Sequence, residues 1–167
     1  ALIRFLHTAD WQIGMKARHV AAVGDKVRAA RLQTVRNLLQ VAVERQADFV
    51  IVAGDTFEDN QINSQTVHKV MSLLDQCLLP VYILPGNHDP LTPDSIYWRS
   101  PLVSSLPANV HILSTFDPVE VLPGTVLMPA PCGSKKSTSD PTAAWPAAPS
   151  AGIKVGVAHG SLMIEGR

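Results

Sequence analysis

Six residues suited to chemistry fall at the ends of four apolar runs. Asp10 closes IRFLHTAD, Asp55 closes DFVIVAGD, Asn87, His88 and Asp89 close VYILPGNHD, and His159 stands near the end of KVGVAHG. The set contains carboxylates, an amide and imidazoles, the mixed oxygen and nitrogen chemistry that divalent Mn, Fe or Zn accepts. Gln12 raises a question beside them. Two residues beyond Asp10, its side chain should point the same way, so if Asp10 holds a metal Gln12 is expected to bind as well. An amide oxygen is a weak choice for that role.

The elements that position these residues read as alternating strands and helices. Residues 26–47 carry Val27, Leu32, Val35, Leu38, Leu39 and Ala42 near one helical face. Residues 64–78 repeat that pattern with Val67, Val70, Met71, Leu74 and Cys77, and Ser64 is the expected N-cap. The apolar run at 1–6 and those at 48–53 and 80–84 read as strands. The last two are unbroken, as buried parallel strands are. Shorter strands are expected at 110–113, 119–122, 125–128 and 153–158. This order argues for an α/β fold with a largely parallel central sheet. Parallel strands end along one edge, where open α/β folds bind ligands, so the polar clusters are expected to converge there. Gly54 and Gly86 let the chain turn sharply beside a metal. Taken singly, Asp10, Gly54-Asp55 and the Pro85-Gly86-Asn87 turn are each compatible with ordinary loop punctuation. Their repetition at four strand ends argues for a site.

The 167 residues fit one domain, 1–167, and 46% hydrophobic with 17% charged residues describes a globular chain. No run approaches the ~20 apolar residues needed to span a bilayer, and no leader pattern opens the chain. Cys77 and Cys132 are unclustered, which points to reduced thiols and a cytoplasmic setting. Fourteen basic and fourteen acidic residues cancel. A nucleic-acid binder often carries a basic excess, but bound divalent cations add charge that this count omits. Residues 131–152 form a long Pro/Ser/Ala-rich loop of the kind that is usually mobile or functional, and Asp140-Pro141 is placed to start one helical turn.

The blocks Asp10-Trp11-Gln12, Gly54-Asp55, Gly86-Asn87-His88-Asp89 and Ala158-His159-Gly160 resemble, in order, those of the calcineurin-like metallophosphoesterases. That family's blocks run Asp-x-His, Gly-Asp, Gly-Asn-His-Asp/Glu, a strand-end His and Gly-His-x-His. The stretches HTADWQIG, GDTFEDN and LPGNHDP are most similar to its DNA-repair exonuclease branch, which includes the SbcD-like nuclease subunit. The resemblance implies a metallophosphoesterase-type β-sandwich flanked by helices, with largely parallel strands. It implies two divalent ions, manganese for preference, with magnesium, iron or zinc also compatible, about 3.5–4 Å apart. Asp55 would bridge them, Asp10 would hold the first, and Asn87 with His159 the second. An acidified water would attack phosphorus in line. His88 would stabilise the phosphoryl oxygens or protonate the leaving group, with Asp89 orienting its ring.

Two departures follow. Gln12 stands where the family usually has histidine, so the first metal should be held loosely, or Gln12 positions only a water or a phosphate. The Gly-His-x-His block is absent before Arg167, so the chain is expected to be truncated at its C-terminus. Ile164-Glu165-Gly166-Arg167 also matches a protease-recognition sequence, the mark of a scar or a cut end. The expected function is metal-dependent phosphodiester hydrolysis by a DNA exonuclease or endonuclease subunit in repair. The resemblance supplies DNA as substrate and a coiled-coil ATPase as partner, and it admits a homodimer. One rival keeps the chemistry and changes the substrate to a phosphomonoester or cyclic nucleotide. Another is a catalytically degenerate domain that binds nucleic acid or protein. His7 reads as a local structural residue or a support for Asp10, and His19, His68 and His111 as surface or packing residues. Trp11 and Trp98 could stack bases or belong to the core. Lys16, Arg18, Lys135 and Lys136 could meet phosphates or be ordinary solvated charges.

Overall fold

Strands β2 (Phe49–Ala53) and β3 (Val81–Leu84) are buried at every position, as unbroken apolar runs require of strands covered on both faces. The computed structural model to which they belong describes residues 2–15, 24–150 and 152–161. Lys16, Arg18, His19 and Ile164-Glu165-Gly166-Arg167 lie outside the described residues. β1 (Phe5–Thr8) pairs parallel with β2, and β4 (Val110–Ile112) parallel with β3, in the order β1-β2-β3-β4. A second sheet has the order β5 (Val119–Leu122), β6 (Thr125–Ala130), β7 (Ile153–Ala158). Its β6 and β7 run parallel, while β5 and β6 form the antiparallel exception.

Side chains alternate across a strand, and this sorts the core into two halves. Val50, Val52, Val81 and Ile83 face α1 (Gly24–Glu44) and α2 (Ser64–Asp75), meeting Val35, Leu39, Val67, Val70 and Leu74. Phe49, Ile51, Ala53, Tyr82 and Leu84 face the second sheet and meet Leu127 and Val157. The result is the expected α/β sandwich with largely parallel strands, its two described α-helices covering the outer face of the first sheet.

Several boundaries differ from the sequence expectation, each for a local reason. α1 ends at Glu44 rather than reaching residue 47, because Gln46 turns left-handed at φ 56° and its N–H reaches back to Val43 O at 3.0 Å. The N-cap of α2 is Asn63, not Ser64; its Oδ1 accepts the Thr66 N–H at 2.9 Å. β1 starts at Phe5 and extends through His7 and Thr8. Within the loop expected over 131–152, residues 140–145 are anchored. Asp140 caps a 3-10 turn, Pro141–Ala144, and Trp145 Nε1 donates to Pro129 O at 2.9 Å. Trp145 also lies over Gly156, where an added Cβ would come within 2.7 Å of its ring.

Candidate metal centre

The loops that leave β1 and β2 are zipped together beyond the strands. Asp10 N–H donates to Gly54 O (3.1 Å), Gln12 N–H to Asp55 O (2.9 Å) and Ile13 N–H to Thr56 O (3.0 Å). Trp11 and Ile13 are buried in the core, while Asp10 is exposed and Gln12 half-buried. That alternation keeps Asp10 and Gln12 on the open side. Asp10, Gln12 and Asp55 all have positive φ, at 57°, 46° and 56°, a region non-glycine residues enter chiefly under local constraint.

β7 supplies a correction to the single-edge expectation, because it belongs to the second sheet. His159 enters the site from across the sandwich, its Nδ1 2.8 Å from Ala53 O. Gly54, at φ 95°, makes room for it: a Cβ there would stand 2.3 Å from the His159 ring. A carbonyl oxygen only accepts, so Nδ1 donates to it in the tautomer that leaves Nε2 free as a metal ligand. Nε2 then faces Asn87 Oδ1 at 2.9 Å and Asp55 Oδ2 at 3.4 Å. In the neutral ring that is a lone pair turned toward two oxygens, which a proton or a cation between them relieves. Asp10, Asp55 and His159 each offer one ligand atom, all within 4.8 Å of one another. Two carboxylates, an imidazole held by a carbonyl and an amide oxygen fit a divalent cation.

His88 and Asp89 are arranged otherwise than expected. His88 N–H donates to Asp55 Oδ1 at 3.0 Å, and ring Nδ1 lies 3.0 Å from Glu58 O. The orienting group of that ring is therefore the Glu58 carbonyl and not the Asp89 carboxylate. Asp89 is turned inward, accepting from Phe57 N–H (3.0 Å), Gly86 N–H (2.8 Å) and Tyr97 O–H (2.5 Å). Burial raises its pKa above the ordinary carboxylate value, against the lowering effect of these donors. Burial and then the Asp89 charge push the Tyr97 hydroxyl far upward.

Trp11 is 6% exposed and donates from Nε1 to Thr8 Oγ1, so base stacking is excluded for it; Trp98 is 50% exposed. His7, His68, Lys135 and Lys136 are exposed, and exposed His111 stacks on Tyr82. Glu58, Tyr97 and Cys132 were not singled out by the sequence. Glu58 acts through its backbone, which leaves no side-chain signature. Cys132 Sγ lies 3.6 Å from His159 O, and burial, with the charges of Asp55 and Asp89, pushes its thiol up to about 11. Cys77 and Cys132 are both free.

The calcineurin-like phosphoesterase family profile matches residues 3–161. The uncharacterized metallophosphoesterase YhaO of Bacillus subtilis is 29% identical over 71% of this chain and 29% of its own length. The SbcD component of the nuclease SbcCD of Escherichia coli K12 is 30% identical over 77% of this chain and 32% of its own. The DNA double-strand break repair protein Mre11 of Methanosarcina acetivorans is 29% identical over 52% of this chain and 14% of its own. The chain thus spans less than a third of these relatives.

Proposed function

The chain belongs to the calcineurin-like phosphoesterase family, and from that premise we propose that its strand-end cluster hydrolyses phosphodiesters of DNA as the nuclease part of a repair enzyme. The observation that carries this reading is the convergence of Asp10, Asp55 and His159 within 4.8 Å, with Asn87 Oδ1 also facing His159 Nε2. Asp55 would serve two cations, Asp10 with Gln12 the first and Asn87 with His159 the second. Two divalent ions, Mn2+ for preference, would supply Lewis-acid polarisation of the phosphoryl group and an acidified water. The protein's own contribution is orientation. With Nδ1–H held by Glu58 O, His88 presents Nε2, which in the charged ring would donate to a phosphoryl oxygen or protonate the leaving oxygen. DNA is favoured as substrate because relatives include a nuclease component and a double-strand break repair protein by name. That the nuclease relative is named as a subunit favours assembly with a further protein, which by the family resemblance would be a coiled-coil ATPase.

The test is Mn2+-dependent hydrolysis of a bis-aryl phosphodiester and of linear duplex DNA. Asp55→Ala is expected to reduce turnover to background, and His88→Ala by about 10²–10⁴-fold. Absence of turnover by the protein with Mn2+ would favour a degenerate binding domain. Faster hydrolysis of an aryl monoester than of DNA would overturn the nuclease assignment.

A further inference from the structure

We propose that Tyr97 is a positioning residue of this site, acting through the buried carboxylate of Asp89. Asp89 is 0% exposed, and its two backbone donors come from different loops. Phe57 follows β2, two residues beyond Asp55, and Gly86 follows β3, one residue before Asn87. The carboxylate therefore bridges the two loops that carry Asp55, Asn87 and His88. The join leaves little slack. A Cβ on Gly86 would stand 2.2 Å from Asp55 Oδ1, the same oxygen that accepts the His88 N–H at 3.0 Å. A shift of Gly86 away from Phe57 would move the amide, the imidazole and the bridging carboxylate relative to one another, and outer partners of that kind tune ligand geometry.

The third donor to Asp89 is the Tyr97 hydroxyl, at 2.5 Å. All three donors are neutral, so the enclosed carboxylate depends on each of them. The ring of Tyr97 has a packing explanation: it is 4% exposed and tilted against Phe57 at a centroid distance of 6.3 Å. Phenylalanine would fill that space equally well. The hydroxyl donates to Asp89 and also lies within reach of the Thr56 side chain, so Tyr97→Phe probes the bridge by removing the donor to Asp89 while keeping the ring.

This inference rests on the metal-centre reading above, and the test separates the two with a measurement that needs no metal. In metal-free protein, Tyr97→Phe is expected to speed amide exchange at Phe57, Gly86 and His88 about tenfold or more, leaving α1 and α2 protected. Calorimetric titration with Mn2+ well below the melting temperature is expected to show affinity about tenfold or more weaker than in the unsubstituted protein. Leu102→Ala serves as the comparison: Leu102 is 1% exposed in the same core, and its loss should lower the melting temperature without weakening Mn2+ binding. Unchanged exchange in the two loops, or an Mn2+ affinity in Tyr97→Phe no lower than in Leu102→Ala, would overturn the role of Tyr97. Faster loop exchange in a protein whose unsubstituted form takes up no Mn2+ would overturn the metal-centre reading and, with it, any ligand-positioning role for Tyr97.

Discussion

Left-handed backbone at Asp10, Gln12 and Asp55 costs on the order of 1 kcal/mol at each non-glycine residue. The cost is concentrated in two loops locked by the ladder from Asp10 N–H to Thr56 O, which is how strain persists where it aims side chains. Gln12→Gly should raise stability by about 1 kcal/mol in thermal melts, since glycine adopts φ 46° freely. If the Gln12 amide is a ligand, the same variant binds Mn2+ more weakly and Gln12→His binds it more tightly. Unchanged calorimetric affinity in both would remove Gln12 from the ligand set. A pH-dependent expectation belongs to Cys132, whose thiol is pushed up to about 11 by burial and then by the Asp55 and Asp89 charges. A raised thiol stays protonated, so at pH 8 the reactive thiolate is only ~0.1% of the total. In metal-free protein, alkylation at Cys132 should be slow at neutral pH and rise about tenfold per pH unit until about 11. Mass spectrometry showing free-cysteine rates at pH 8 would contradict the buried setting.

At the scale of elements, the periodicity of the sequence located both helices and most strands, because burial of one face imposes a spacing that survives in the residues. It could not fix where elements stop. The end of α1 depends on a backbone turn at Gln46 that glutamine does not advertise, and the start of α2 on Asn63 rather than its equally polar neighbour Ser64. Gln46→Gly should therefore stabilise the protein by about 0.5–1 kcal/mol, read as a higher denaturant midpoint with unchanged slope. Phe49 tests the sandwich interior. It is 1% exposed, stacks with Phe5 and meets Tyr82 edge-on at 5.9 Å, so Phe49→Ala should cost about 3–5 kcal/mol in chemical denaturation. A cost below about 1 kcal/mol would mean the two sheets are not packed as described.

At the scale of the molecule, four polar strand ends were legible because unusual residue types followed ordinary apolar runs. The sheet to which β7 belongs was not, since sheet membership is decided by partners distant in sequence. The inward turn of Asp89 was equally hidden, because its donors Phe57, Gly86 and Tyr97 are gathered only by the fold. Charge is the remaining global property, and it makes the DNA reading testable. With fourteen basic residues balancing fourteen acidic ones, the chain lacks the excess that usually drives phosphate binding. Binding to DNA should then depend on cations held at Asp10, Asp55 and His159, where each divalent ion adds two positive charges beside the scissile phosphate. Fluorescence anisotropy with a labelled duplex is expected to show at least about tenfold weaker binding in EDTA than in Mn2+, with a shallow salt dependence reflecting few phosphate contacts. Asp55→Ala should bind equally weakly in both buffers. Affinity indifferent to EDTA, combined with a steep salt slope, would instead place the contact on surface lysines such as Lys135 and Lys136, away from the strand-end cluster.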